Sequence, residues 1–486
     1  IQGNNPVTGG FVELEGERWF KIGHHDRMDP FLMTLVSPSD HWMFISSNGG
    51  LTAGRKSPQY AIFPYYTDDI LTDHAENTGS KTILKVKKKD RTYLWEPFSN
   101  RNEGAYYIER NLYKNRIGNR VIFEEINHDL SVEFSYEWTF SNRFGVVKKS
   151  ALSNRGNQEI QIEILDGVQN IIPWGVPMKL QNERSNLTHA YKKNEWLKEG
   201  LAIFRLSSMI IDRAEPSEAL KATTAWSVGL RLDKQLLSAL QLNAYRRGLP
   251  IQSEEDIKAE RGAFFIHQRQ SLKAGKSKNW YIVLEPAQDA SDVVKLKPLM
   301  DVPGRTLIAL QEDLKATELA LKKLVAHADG VQYTADALMC NRHYSNTLFN
   351  SMRGGEFFND YNLETSYFKN FVQDSNRRLF QTLQQEIQTL PVKVTLPELR
   401  AWILNLKNEQ LMRLGWAYLP IFFSRRHGDP SRPWNSFSIS THDSNGKPVH
   451  YYEGNWRDIF QNWEALGQSY PMYLEGMIYT FLNAST

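Results

Sequence analysis

The sequence predicts a multidomain β + α protein with a large N-terminal β-sandwich, a linker helix and then a helical domain. Three observations lead to this prediction. Hydrophobic and polar residues alternate in short runs up to about residue 300, the apolar period changes after residue 303, and helical patterns follow from residue 331. At 486 residues the chain is too long for one ordinary domain, so we expect domains at 1–300, 301–330 and 331–486.

Short runs with period-two alternation predict the sandwich. Val132–Trp138 places a hydrophobic residue at every second position, and Gln158–Leu165 and Asn279–Glu285 repeat the pattern. Turn signals rich in Asn and Gly separate these runs. Many strands at such spacing, with few long helices among them, are typical of a large β-sandwich.

Two segments inside this β region are predicted to be helical insertions. They are Leu236–Arg247 and Ser253–Glu260. In the second segment, Ser253 and Asp256 have the spacing of a helix-capping pair. The surrounding region keeps its β character, so we interpret both segments as additions to the sandwich.

A single amphipathic stripe follows Pro303-Gly304 and predicts the linker helix. Its positions step by three and four residues: Leu307, Leu310, Leu314, Thr317, Leu321, Leu324 and Ala328. The spacing also fits a heptad repeat over about three heptads. We interpret the stripe as one long helix packed on its own protein rather than as a coiled-coil dimer.

From Gly330 onward the patterns are helical. The predicted helices are Ala335–Met352, Glu364–Gln388, Leu396–Trp416, Trp456–Leu466 and Tyr473–Leu482. Loops rich in Gly, Pro, Asn and Asp join them, as expected for helix ends. The sequence stops at Thr486 inside an apolar segment, so we expect these helices to be the first part of a larger, here incomplete, helical domain.

Charge and hydropathy exclude two classes of partner. Lys and Arg number 58 against 55 Asp and Glu, and a net charge of +3 argues against a nucleic-acid surface. No apolar run approaches the ~18 residues that a membrane helix requires. The sequence also starts without the pattern of a signal peptide, so we expect a cytoplasmic protein with no membrane partner.

Cysteine and histidine usage predicts neither a disulfide nor a metal site. Cys340 is the only cysteine, so the chain cannot form an internal disulfide, and we expect an inert core thiol. His24 and His25 are adjacent and precede Asp26. Neighbouring side chains on a strand point in opposite directions and rarely share one metal, so a surface turn is the better interpretation.

The most informative segment is Tyr451–Asn462, near a predicted helix start. It combines an aromatic residue, a cation, a carboxylate and amides, namely Trp456, Arg457, Asp458, Gln461 and Asn462. A pyranose ring requires this mixture, because one apolar face stacks on an aromatic ring while its hydroxyls meet paired donors and acceptors. The structural alternative is that Arg457 and Asp458 form a buried ion pair that caps a helix.

A basic loop lies shortly before this segment. Arg425, Arg426, His427 and Arg432 place positive charge around Gly428. A dianionic phosphate or a sugar phosphate requires such a loop. An equally weighted alternative is a structural loop in which the arginines pair with Asp429 and neighbouring acids.

The order of domains and the segment from Gly454 to Asn462 resemble the cellobiose phosphorylase family and related β-glucan phosphorylases. In that family, a Gly-Phe-Arg-Asp-Gln-Leu-Gln-Asp segment opens a barrel helix and binds the glucosyl unit beside the scissile bond. Trp456 takes the place of the family's Phe, Arg457 and Asp458 match directly, and Gln461 matches the second Gln. Asn462 replaces an Asp and so lacks its charge.

This resemblance implies an N-terminal supersandwich followed by the start of an (α/α) six-hairpin barrel. It implies inverting phosphorolysis of β-linked gluco-oligosaccharides to α-glucose 1-phosphate, with inorganic phosphate as co-substrate, no other cofactor and no metal. A general acid Asp is expected beyond Thr486. The resemblance also implies a homodimer. Two alternatives stay open: a glycoside hydrolase of the same fold and a non-catalytic sugar-binding module.

Overall fold

The computed structural model describes residues 6–484 except 89, 184–185, 198–199, 213, 216, 427, 433–435, 451 and 453–455, with the backbone alone described at Trp456 and Ala484. The chain divides into two compact units. Unit 1 comprises Ile1–Ala320 and Gly428–Ser436, and unit 2 comprises Leu321–His427 and Phe437–Thr486. Among the described residues, none of the helices combines the length and apolar character needed to cross a membrane.

Unit 1 is built mainly from antiparallel strands. The strands are β1 (Thr8–Leu14), β2 (Glu17–Gly23), β3 (Leu32–Val36), β4 (His41–Ser46), β5 (Leu51–Arg55), β6 (Tyr60–Ala61), β7 (Gly79–Lys88), β8 (Arg91–Trp95), β9 (Ile108–Asn115), β10 (Val121–Asn127), β11 (Val132–Ser141), β12 (Gly145–Asn154), β13 (Ile160–Ile171), β14 (Lys192–Trp196), β15 (Leu201–Leu206), β16 (Ala222–Val228), β17 (Lys234–Leu236), β18 (Asp256–Lys258), β19 (Gly262–Leu272) and β20 (Ser277–Gln288). The helices up to residue 327 are α1 (Asp68–Asp73), α2 (Met178–Glu183), α3 (Leu187–Ala190), α4 (Leu242–Arg246), α5 (Ala290–Met300) and α6 (Pro303–His327).

The strands form three sheets. An eleven-stranded sheet has the order β1-β2-β9-β10-β11-β12-β20-β16-β15-β14-β18, a five-stranded sheet has the order β17-β19-β13-β7-β8, and β3-β4-β5-β6 form a four-stranded sheet. The central pairings are antiparallel throughout, as between β11 and β12 and between β13 and β19. The predicted β-rich N-terminal region is therefore confirmed.

One hydrophobic core lies between the two larger sheets. Phe134 and Trp138 from β11 and Ile162 and Ile164 from β13 are buried in the same cluster. Successive side chains on a strand point to opposite faces, so the alternation in these segments turns one face of each sheet inward. Because both inner faces contribute to one cluster, the sheets pack as the two layers of a sandwich.

The two predicted helical insertions are largely wrong. Within Leu236–Arg247 only α4 is helical, and Ser253–Glu260 contains the strand β18 instead of a helix. Ser253 and Asp256 do not form a capping pair, because β18 pairs with β14 at the sheet edge. The side chain of Ile257 packs against the sandwich core, and edge pairing together with this burial outweighs the local capping pattern.

A single helix, α6, occupies the predicted linker segment. Leu310 is fully buried and packs with Phe144, Trp226 and Tyr281 of the eleven-stranded sheet. The apolar stripe of α6 therefore packs against a sheet of the same chain, as expected for an amphipathic helix. The preceding helix α5 was not predicted, although Asp289 and Asp292 form a capping box at its start.

Unit 2 is mainly helical. Its elements are α7 (Ala337–Gly354), β21 (Glu356–Phe357), β22 (Asn362–Glu364), α8 (Thr365–Ser375), α9 (Arg377–Thr382), α10 (Gln384–Gln388), β23 (Lys393–Thr395), α11 (Leu396–Asn405), α12 (Glu409–Ala417), β24 (Ile421–Phe422), a 3-10 turn (Trp456–Asp458), α13 (Ile459–Ser469) and α14 (Pro471–Ala484). A helical region after the sandwich is confirmed, and the (α/α) barrel remains a prediction. Cys340 on α7 is buried, as predicted.

Two of the predicted long helices are broken into shorter ones. The segment 364–388 forms α8, α9 and α10, and 396–416 forms α11 and α12. At the breaks, the Asn376 side chain accepts a hydrogen bond from the Leu379 N–H at 3.0 Å, and Asn408 accepts one from Leu411 at 2.9 Å. An Asn side chain that caps a new helix satisfies its first free N–H groups, so the chain can turn at these points.

Candidate carbohydrate site

The Arg-Asp motif lies at the start of a helix, as predicted. The 3-10 turn Trp456–Asp458 leads directly into α13. The Arg457 side chain is 78% exposed, and its Nε lies 3.2 Å from Oδ1 of Asp458. The Asp458 side chain makes no capping hydrogen bond. The pair is therefore not fully buried, its carboxylate does not cap the helix, and the Arg457 side chain is mostly exposed.

The remaining motif residues divide between the surface and the interior. Gln461 is exposed one helical turn after Arg457, so the two share a side of α13. Asn462 is only 3% exposed and has no hydrogen-bond partner for its Nδ2 among the described residues. The side chain of Trp456 lies outside the described atoms. The structure thus brings Arg457, Asp458 and Gln461 to one accessible side and places Asn462 beneath them.

Helix α13 is held in place by α7. The Trp463 Nε1 donates a hydrogen bond to the Gly354 carbonyl oxygen at 2.9 Å. A Cβ at Gly354 would lie 2.9 Å from the Asn462 Cβ, so the glycine permits this close approach. The Tyr452 ring packs against Trp463 with centroids 5.2 Å apart. The accessible polar groups therefore stand on a helix whose opposite side is tightly packed.

The phosphate candidates lie on a short extended segment. The Arg425 N–H donates to the Met352 carbonyl at 2.9 Å, and the Arg426 N–H donates to Ser438 at 3.0 Å. The Arg425 guanidinium lies 5.5 Å from the centre of the Phe437 ring, whereas Arg426 is exposed. His427 lies outside the described residues. The backbone of this segment is fixed, and Arg426 is the candidate whose side chain reaches solvent.

A stacked histidine was missed from the sequence. The His450 ring stacks on Tyr367 with centroids 3.7 Å apart, and Phe358 lies 4.8 Å away. Burial, together with the nearby Lys447 ammonium, lowers the pKa of His450 to about 4, so its imidazole is neutral at neutral pH. Residue 450 is far from 367 in sequence, so no local pattern indicated this contact.

A cluster of acidic and phenolic groups was also missed. The Tyr470 hydroxyl donates to Oδ1 of Asp360 at 2.6 Å, and His327 Nδ1 lies 3.5 Å from Oε2 of Glu356. Burial raises the pKa of Glu356, and the hydrogen bond with Glu356 raises the pKa of His327. Tyr473 adds a hydrogen bond to the Asp360 carbonyl oxygen at 3.0 Å. These contacts anchor the chain just after α7.

Residues 356–422 form a module whose two ends lie side by side. Glu356 pairs with Phe422 and Phe357 with Ile421, so β21 and β24 join the two ends of the module. Helices α8–α12 lie between them and share one core with Phe357 and Ile421. Meanwhile α7 before the module contacts α13 after it. The module therefore lies in the chain between two helices that pack directly on each other, and its core continues into α13 and α14.

Comparison with protein families identifies this module. Residues 357–420 match the model of glycoside hydrolase family 149 insertion domain 1. The match begins at Phe357 in β21 and ends one residue before β24. This part of the chain is similar to an insertion domain of a glycoside hydrolase family. The match covers a small part of the chain, and no curated protein matches the sequence.

Several solved structures of carbohydrate-active proteins are similar at low identity. A protein assigned as a kojibiose phosphorylase from the human microbiome is 10% identical, with a TM-score of 0.37 over 93% of this chain and 56% of its own. A bacterial glucoamylase complexed with acarbose is 8% identical, with a TM-score of 0.36 over 85% of this chain and 57% of its own. Both TM-scores lie below 0.5, so the fold assignment rests on this chain's own strands and helices. The chain spans little more than half the length of either protein.

Proposed function

We propose that this chain belongs to an inverting glycoside phosphorylase that acts on β-linked gluco-oligosaccharides and releases α-glucose 1-phosphate. The observation that carries the proposal is the exposed Arg457–Asp458 pair at the first turn of α13, with Gln461 on the same side. The match of residues 357–420 to a glycoside hydrolase family supports the wider class. The resemblance of Gly454–Asn462 to the phosphorylase motif supports the reaction.

In this proposal the Arg-Asp pair holds one glucosyl unit. The Arg457 guanidinium donates in a fixed fork, and the Asp458 carboxylate accepts from a pair of adjacent hydroxyls. Gln461 adds an amide on the same side, Asn462 supports the site from beneath, and Trp456 supplies an indole suited to stacking on a sugar face. These groups orient the sugar and do not exchange protons with it.

The chemical step requires two further groups. Inorganic phosphate attacks the anomeric carbon on one face while a general acid protonates the departing glycosidic oxygen on the other. Arg425, Arg426 and His427 are the proposed phosphate contacts, and Arg426 has the exposed guanidinium for it. The phosphorylase resemblance puts the general acid after the Arg-Asp motif, so we assign it to no residue of this chain. We also propose a cytoplasmic homodimer with no cofactor besides phosphate.

In this proposal, the module 356–422 is an insertion in the helical domain. Since α7 packs on α13, we propose that α7, α13 and α14 begin the (α/α) barrel and that α8–α12 form an insertion between barrel helices. The name of the matching family model supports this division. The insertion would then stand beside the proposed sugar site through its contact with His450.

A second candidate is a glycoside hydrolase, which the name of the matching family favours. An inverting hydrolase activates water with a second carboxylate, whereas a phosphorylase needs none. The same Arg457 and Asp458 contacts would serve either reaction, because both reactions bind a glucosyl unit. A phosphate-dependence assay separates the two.

The test uses the full-length protein with cellobiose, laminaribiose and sophorose, each with and without inorganic phosphate. Glucose 1-phosphate that appears only with phosphate is the expected result, and the substrate that reacts identifies the linkage. Release of free glucose at the same rate in both conditions would establish a hydrolase instead. The variant Arg457→Ala serves as the control for reaction at the proposed site.

A further inference from the structure

A polar cavity lies on the outer face of the five-stranded sheet, within unit 1. Its main part has a volume of about 450 Å³, and an adjoining part has about 300 Å³. Both parts are lined by Lys85, Thr92, Glu163 and Arg269, so they form one continuous depression. We call it the basic groove. Nothing in the proposed reaction uses it.

The strand register explains why charged groups meet there. On β13, Ile162 and Ile164 face the core, so Glu163 points outward. Glu163 is directly opposite Lys85 of β7 on one side and Arg269 of β19 on the other. The three side chains therefore form a row across the sheet, on a face where a sandwich normally meets water.

The groove carries a strong excess of positive charge. Five cationic side chains line it beside the single lining carboxylate of Glu163: Lys85, Lys87, Lys234, Arg247 and Arg269. A further arginine, Arg246, is already neutralised by Glu96, whose carboxylate oxygens accept two hydrogen bonds from it at 2.7 and 2.8 Å. The whole chain has a net charge of only +3, so the groove concentrates positive charge.

Several cationic donors in the groove are not used within the described structure. The Arg269 side chain is 68% exposed, and its Nε lies 2.8 Å from Oε1 of Glu163. Arg247 uses its Nε for the Asn243 carbonyl oxygen at 3.3 Å. The terminal guanidinium nitrogens of both arginines, and the Lys87 ammonium, have no partner among the described residues. These donors can meet an anion in the groove.

The floor of the groove contains a buried polar atom without a hydrogen-bond partner among the described residues. His267 and Tyr245 line the cavity and are only 4% and 1% exposed. The Nδ1 of His267 has no hydrogen-bond partner in the described part of the chain, whereas the Tyr245 hydroxyl is within hydrogen-bonding reach of Glu163. Lys85 Nζ lies 3.5 Å from the centre of the Tyr245 ring, so a cation also covers this floor. Buried polar atoms are normally satisfied, and a bound ligand would supply the missing bond.

We propose that the basic groove binds a phosphate monoester. Such a dianion suits forked guanidinium donors and ammonium groups, and the space is large enough for a sugar attached to the phosphate. The physiological ligand would be a sugar phosphate, and that identity rests on the proposed phosphorolysis. The binding chemistry itself rests only on the groove and would hold if the enzyme were a hydrolase.

The test measures binding directly by calorimetry, with glucose 1-phosphate as the probe. The experiment uses an Arg457→Ala, Arg426→Ala background in the full-length protein, so that neither the proposed sugar contact nor the exposed proposed phosphate contact of that site contributes. We expect one binding event that weakens with added salt and that neutral glucose does not reproduce. Adding Lys87→Gln and Arg269→Gln should weaken it by at least about tenfold, because two charge-assisted contacts are lost.

The matched control is Lys179→Gln, which removes one charge from an exposed helix outside the groove. It should change the affinity by less than about twofold, since the charge makes no contact in the groove. Unchanged melting temperatures would show that all variants fold. Equal binding by the Lys87→Gln, Arg269→Gln protein and its parent would overturn the proposal, as would equal binding of glucose. Turnover that does not depend on phosphate would contradict only the proposed phosphorolysis and would leave the proposed binding in the groove unaffected.

Discussion

Two ion pairs in this protein lie in opposite environments. Lys148 and Asp166 lie in the sandwich core with both side chains completely buried and 2.6 Å between Nζ and Oδ1. Arg457 and Asp458 lie at the start of α13, where the Arg457 side chain is mostly exposed and its Nε lies 3.2 Å from Oδ1 of Asp458. The first pair has no access to a ligand, whereas the second faces solvent.

The buried pair is fully supported by neighbours from both sheets. Asp166 on β13 also accepts hydrogen bonds from Thr82 at 2.6 Å, Ser150 at 3.0 Å and the Trp280 Nε1 at 2.7 Å. Burial lowers the pKa of Lys148, and the adjacent carboxylate opposes that shift. Because Ser150 and Trp280 belong to the eleven-stranded sheet, the cluster joins the two layers of the sandwich.

The difference in burial between the two pairs indicates which pair stabilises the fold and which pair can contact a ligand. A buried pair with several hydrogen bonds specifies how two sheets meet, and removing one member leaves a charge without compensation. A largely exposed pair contributes little to stability, and its side chains remain accessible to a ligand.

Breaking the buried pair should have the largest effect. Asp166→Leu leaves the Lys148 ammonium buried without its partner and should lower the free energy of unfolding of the sandwich by about 3–5 kcal/mol. Urea unfolding monitored by tryptophan fluorescence measures this loss. Combining Asp166→Leu with Lys148→Met should recover much of the loss, because no charge then remains buried. A double variant as unstable as Asp166→Leu would contradict this account.

The exposed pair should show the opposite behaviour. Arg457→Ala should reduce kcat/KM at least about 100-fold, which corresponds to roughly 3 kcal/mol of lost transition-state binding. The melting temperature should stay nearly unchanged, since the side chain is mostly exposed. Steady-state kinetics and calorimetry on the same preparation test both statements. If the variant mainly unfolds, the pair is structural.

The packing beneath the exposed pair gives a third test. Gly354→Ala would place a Cβ 2.9 Å from atoms of Asn462 and Trp463 and should cost about 1–3 kcal/mol of stability. Chemical denaturation of the full-length protein measures the change. Gly304→Ala in α6 is the control, because a Cβ there meets no atom within 4 Å. That substitution should be neutral or stabilising by up to about 1 kcal/mol. Equal effects at both positions would contradict close packing of α7 on α13.

The smallest effect concerns pH. The pKa of His327 is raised by its hydrogen bond with Glu356, and burial raises the pKa of Glu356. Both folded-state shifts favour the protonated forms, so the contribution is present at low pH and is lost as pH rises through these pKa values. His327 is 46% exposed, so the change should stay below about 1 kcal/mol.

Denaturation curves at several pH values measure this effect. His327→Gln should flatten the decline in stability that the wild-type protein shows above pH 6.5, the ordinary pKa of a histidine. His128→Gln provides a comparison in unit 1, since its Nε2 also lies near a carboxylate, 3.5 Å from Glu109. An unchanged pH profile in His327→Gln would show that the pair does not contribute.

The parts of the fold that follow local periods were predictable. The alternation in Val132–Trp138 and the stripe on α6 both depend on residues a few positions apart, and both predictions are confirmed. The segment Ser253–Glu260 was predicted wrongly because pairing with β14 decided its conformation. The breaks before Arg377 and Glu409 were missed because an Asn cap competes with a continuous helical pattern.

The proposed site divides in the same way. The adjacency of Arg457 and Asp458 and the helix that follows them were readable from one short motif. The burial of Asn462 was not, because it depends on how closely α7 approaches at Gly354. The stacking of His450 on Tyr367 depends on the module returning along β21 and β24. Contacts of this kind join residues that no local window contains.

By itself the sequence determined the β-rich and helical regions, the linker helix and the motif that suggests a sugar site. These features arise from side-chain periodicity and from neighbours along the chain. Only the tertiary structure decided that Lys148 meets Asp166 inside the sandwich and that cations gather around Glu163 outside it. The physical reason is that strand register determines which distant side chains become neighbours and which of them remain in water.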